Sequence, residues 1–88
     1  MQKYVLQMSI IPKSINRRII IDGIAKYMEL HGPLHVEQNR NLSIDSEYSE
    51  TIIAKATNGK RVGNGNGKID VITKNNEGID VITLEAEY

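Results

Sequence analysis

The sequence predicts an α+β fold: two helices with a small, mainly antiparallel sheet and a C-terminal β-hairpin. Three observations carry this. Apolar side chains recur at helical spacing over residues 15–31, and they do so again over 46–57. The pentapeptide IDVIT occurs at 69–73 and at 79–83, with turn-forming residues between the copies. A chain of 88 residues makes one small domain, spanning 1–88, or a piece of a larger protein.

Residues 2–11 alternate loosely, with Tyr4, Leu6 and Met8 on one side, and read as a strand that Pro12 ends. Ser14 is placed to cap the first helix, over 15–31, by accepting from its free N–H groups. Ile20, Ile24, Tyr27, Met28 and His31 form its apolar stripe, with Ile15 and Ile19 at the edge. Gly23 weakens this helix by about 1 kcal/mol relative to alanine and admits close approach of another backbone. Gly32-Pro33 is expected to stop it, because proline lacks the N–H that would continue the ladder.

Residues 33–44 then give a short strand and a loop, from the alternation of Leu34 and Val36. Asp45 or Ser46 caps a second helix over 46–57. Glu47 and Glu50 lie near its positive end, and Tyr48, Ile52, Ile53 and Ala56 form its apolar face. Asn58-Gly59 ends it, and GKRVGNGNG (59–67) is expected to be the most flexible stretch.

KIDVIT (68–73) and IDVITLEAEY (79–88), joined by KNNEG, form the hairpin. Its register decides which acids meet. A five-residue loop sets Asp70 opposite Ile82 and turns Glu85 to the other face. A loop of two or four residues pairs Asp70 with Val81 or Thr83, and Glu85 and Glu87 then share its face.

Composition narrows the chemistry. Eleven basic and eleven acidic residues cancel, which excludes a strongly basic binder of nucleic acid over its whole surface. The charge is nonetheless uneven: residues 1–44 carry a balance of +3 and residues 45–88 a balance of −3. The absence of cysteine excludes disulfides, thiolate zinc sites and a cysteine nucleophile. Apolar runs are short, Ile19 to Ile21 being typical, so no membrane span or leader is read and the expected location is the cytoplasm. The core is light: fourteen isoleucines, and four tyrosines as the only aromatics. A core of this kind favours a partner chain or a homo-oligomer, most simply a two-fold dimer.

Two familiar motifs fail on inspection. Gly63-Asn64-Gly65-Asn66-Gly67-Lys68 resembles a phosphate loop, but a strand follows where a helix is needed, and Ile69 stands where serine or threonine should. His31 and His35 have the spacing of helical metal ligands, but Gly32-Pro33 falls between them.

The remaining constellation is GNGKIDVIT followed by LEAEY. It places Asp70 after a glycine-rich bend, Glu85 and Glu87 on the next strand, and Glu50 on the preceding helix. Clustered carboxylates suit hard divalent cations, which can hold phosphate and activate water. The order resembles the PD-(D/E)xK nuclease superfamily over residues 45–88, with E-x-E in place of E-x-K. That resemblance implies catalytic roles for Asp70, Glu85 and Glu87, with Glu87 at the lysine position. It implies ligation of Mg²⁺ or Mn²⁺ by Asp70, Glu85 and Glu50. The family core continues beyond this motif whereas the chain stops at Tyr88, so activity would need a partner chain or a longer natural protein. DNA phosphates would then meet Lys13, Arg17, Arg18, Lys60 and Arg61. The expectation is a nuclease-like, divalent-metal-dependent DNA-processing protein or a fragment of one. The alternative is a small non-catalytic interaction module that binds another macromolecule.

Overall fold

The computed structural model describes residues 3–37, 42–62 and 69–87. The glycine-rich stretch at 63–68 lies outside the described residues. In chain order the elements are β1 (Lys3–Met8), α1 (Arg17–Glu37), β2 (Leu42–Ser43), α2 (Ser46–Ala56), β3 (Lys60–Arg61), β4 (Val71–Ile72), β5 (Gly78–Ile79) and β6 (Val81–Glu87). The fold is α+β, with every strand pairing antiparallel. The strands make two three-stranded sheets, β1-β6-β2 and β3-β4-β5, where the sequence suggested one.

β6 is the centre of the first sheet, paired along its length with β1 and at its end with β2. Leu84 and Ala86 point into the core at 2% and 0% exposure. Tyr4 stands opposite Ala86 and Leu6 opposite Leu84, so the expected Tyr4–Leu6–Met8 side of β1 joins the same apolar layer. Both helices pack near that layer. α1 contributes Ile20 and Ile24, α2 contributes Ile52 and Ile53, and the small sheet contributes Val71 and Ile79. Gly23 sits where α1 crosses α2: a Cβ there would lie 2.7 Å from Cγ1 of Ile52. The close neighbour is thus a side chain rather than another backbone.

Three boundaries differ from the sequence expectation. The cap of α1 is Asn16, not Ser14. Its Oδ1 accepts from the N–H groups of Arg18 (3.0 Å) and Ile19 (3.4 Å), and its own N–H donates to the Ala56 carbonyl at 2.7 Å. Serine and asparagine cap about equally well, so this tertiary bond decides between them. The helix also runs through Gly32-Pro33 to Glu37. Pro33 forfeits one backbone bond, but Gly32 has no Cβ to clash with the proline ring, which removes much of the usual penalty at the preceding residue. The alternation of Leu34 and Val36 therefore falls in helix, and the expected strand shrinks to β2.

The hairpin register is the third. Val71 pairs with Ile79 and Ile72 with Gly78, and the Thr73 N–H donates to the Glu77 carbonyl at 2.9 Å. Lys74-Asn75-Asn76 is thus a three-residue connection, with Asn76 in the left-handed region at φ 63°. The Thr73 hydroxyl oxygen fixes it by accepting from the N–H groups of Asn75 (3.2 Å) and Glu77 (3.1 Å). None of the loop lengths considered from sequence is the one adopted.

Candidate functional site

The carboxylates expected to gather, Asp70, Glu85 and Glu50, lie on or beside different elements. Asp70 precedes β4 and is half-buried. Its N–H donates to the Ile79 carbonyl at 2.8 Å, and its Oδ2 accepts from the Val81 N–H at 3.0 Å. The side chain thereby clips the point where the chain passes from one sheet to the other. Glu85 lies on β6 in the other sheet, between the buried Leu84 and Ala86, and so points away from the core. Glu87 ends β6 opposite Lys3, and its side chain lies outside the described residues. Glu50, on α2, accepts from Arg61 Nη2 at 3.3 Å and Nε at 3.4 Å. Among the described residues no three histidine, aspartate or glutamate side chains group as metal ligands, so Asp70, Glu85 and Glu50 do not form one donor set. The helix break expected between His31 and His35 is absent. The His31 ring lies 4.5 Å from that of Tyr27, while the side chain of His35 lies outside the described residues.

The five expected cations are all exposed, but they face different neighbours. Lys13 is held by its backbone N–H, 3.3 Å from both carboxylate oxygens of Glu77. Arg18 pairs with Asp22 at 3.5 Å, and Arg61 pairs with Glu50. Lys60 stands on β3. Arg17 opens α1 and borders a cleft.

That cleft has a volume of about 720 Å³. Three chain segments form it: the loop into α1, the end of α2 with its following turn, and the β4–β5 connection. Arg17, Lys55 and Lys74 line it with Ser14, Asn16, Thr57, Asn58 and Asn75, and the apolar Ile15, Ile19 and Ala56 complete the wall. Among the described residues no aspartate or glutamate lines it. The two nearest acids in the chain are turned elsewhere, Glu77 to Lys13 and the Thr73 hydroxyl, and Asp22 to Arg18. Arg17, Lys55 and Lys74 have no ion-pair partner among the described residues.

Local structure explains why these groups meet. α2 ends in a double bond of the Schellman type: the Asn58 N–H donates to the Lys55 carbonyl at 3.3 Å and the Gly59 N–H to the Ala54 carbonyl at 2.8 Å. Asn58 takes the required left-handed conformation at φ 56°. The Lys74 N–H then reaches the Thr57 carbonyl at 3.3 Å, which docks the hairpin turn on the end of α2. Sequence reasoning found Arg17 but missed Lys55 and Lys74. One looks like an ordinary helix-terminal lysine and the other like a turn lysine; only the turn-to-helix docking brings them together.

Among the described residues no helix is long and apolar enough to cross a membrane. No family model matches the chain, and neither a curated protein nor a solved structure is found that matches it.

Proposed function

We propose that the chain is a DNA-binding module that holds phosphates in the cleft bordered by Arg17, Lys55 and Lys74. One observation carries this reading: three cations from three segments, without an ion-pair partner among the described residues, line a single concavity in whose wall no described residue is an acid. Cations so placed repel one another, and an anion is the partner that lowers their energy. Among the described residues the cleft wall has no aromatic ring on which a base could stack, so phosphate contacts would supply the affinity and sequence preference would be weak. The carboxylates support binding better than hydrolysis, since Asp70 and Glu50 already serve contacts within the fold.

Salt tests this directly. Three cations engaged with phosphate should release about three counterions and give a slope of roughly −3 in a plot of log affinity for duplex DNA against log salt. Lys74→Gln should weaken binding about equally on unrelated sequences and reduce the slope by about 1. Fluorescence anisotropy across a salt series measures both. Binding that is insensitive to salt, or unchanged in Lys74→Gln, would remove the cleft from consideration.

A further inference from the structure

Resting on that reading, we infer that the cleft is built for a terminal phosphate monoester, the phosphorylated end of a DNA strand, rather than for phosphates along its backbone. A backbone tracker presents cations in a row along a groove. Here Arg17, Lys55 and Lys74 come from three separate segments and line one cleft, together with Ile15, Ile19 and Ala56. A diester carries one negative charge and two free oxygens. A terminal phosphate carries close to two charges near neutral pH and has three free oxygens. Three cations lining one cleft match the second group better.

The backbone of the wall supports the same assignment. The end of a helix exposes carbonyl oxygens, which would repel phosphate. At the end of α2 those oxygens are occupied. The Ile53 carbonyl accepts from the Thr57 N–H at 3.0 Å and from the Thr57 hydroxyl at 2.8 Å. The Ala54 and Lys55 carbonyls accept from Gly59 and Asn58, the Ala56 carbonyl from Asn16 at 2.7 Å, and the Thr57 carbonyl from Lys74. The cap of α1 supplies a complementary feature. Asn16 Oδ1 takes the N–H groups of Arg18 and Ile19, while the Arg17 N–H finds no acceptor among the described residues. The recess thus offers donors and positive charge where a helix end would otherwise offer acceptors.

The experiment compares the full chain with labelled single strands of one sequence bearing a 5′-phosphate, a 3′-phosphate or hydroxyl groups at both ends. At fixed ionic strength, fluorescence anisotropy should show one phosphorylated end binding about tenfold more tightly than the hydroxyl strand, as a charge-assisted contact warrants. Millimolar inorganic phosphate should erase that difference without abolishing residual binding. Lys74→Gln and Lys55→Gln, both at exposed positions and checked for folding by circular dichroism, should each shrink it. Equal affinity for all three strands would overturn the end-specific inference while leaving DNA binding in place. Failure of every strand and of duplex DNA to bind would overturn both.

Discussion

Residue-scale reasoning succeeds where burial follows from periodicity. Ile20 and Ile24 come from the stripe read in the sequence, and both are fully buried, while Arg18 and Lys26 on the same helix are exposed. Ile24→Ala removes three carbons from a site closed by both helices and should cost about 2–5 kcal/mol, read by urea denaturation. A loss below about 0.5 kcal/mol would show that the stripe does not carry the core. Asp70 is the opposite case. Its place beside the strand Val71–Ile72 was legible, and its role was not. The partner of its carboxylate is a backbone N–H eleven residues away, and that pairing exists only because the chain changes sheets between β5 and β6.

At the scale of elements, the identical pentapeptides show what local sequence leaves open. Ile69 in the first copy is 52% exposed and Ile79 in the second is fully buried, although each opens the same IDVIT. Pairing of Val71 with Ile79 sets the difference, and that register depends on a three-residue connection with Asn76 in a left-handed conformation. The hairpin was therefore legible, but its register required the turn. Helix ends behave similarly. Asn58-Gly59 marked the end of α2 correctly, because asparagine tolerates the left-handed cap and glycine follows without a side chain. A Cβ on Gly59 would collide with the Ile72 carbonyl oxygen, so this glycine also lets β4 approach the helix end. Asn58→Gly should then raise stability, by up to about 1 kcal/mol, since glycine adopts φ 56° with less strain than asparagine. Urea denaturation gives the sign, and a destabilised variant would mean that the Asn58 side chain contributes more than its backbone conformation costs.

At the scale of the whole molecule, the net charge of zero conceals the cleft. Arg17 comes from the positive first half, whereas Lys55 and Lys74 come from the half with an acidic balance. No sum over a segment could have joined them; the fold does so by docking one turn on one helix end. The same topology bears on the carboxylates. A cation shared by Asp70 and Glu85 would have to bridge residues of two different sheets and compete with the Val81 N–H for an Asp70 oxygen.

Two variants separate the possible roles of Asp70. If it is a structural clip, Asp70→Asn keeps an acceptor for the Val81 N–H and should change stability little. Asp70→Ala strands that N–H at a half-buried position and should cost about 1–3 kcal/mol. Both differences should be the same with and without divalent metal, and millimolar Mn²⁺ should leave the melting temperature of the wild type unchanged. A shared metal site makes the reverse prediction. The metal would bind the folded state selectively and raise the melting temperature. Asp70→Asn would abolish that rise as completely as Asp70→Ala, because a neutral amide is a poor ligand for a hard cation. A Mn²⁺-dependent rise that Asp70→Asn removes would restore the nuclease-like role for Asp70 and Glu85. The hydrogen bond to Val81 would then be a contact the protein gives up when metal arrives.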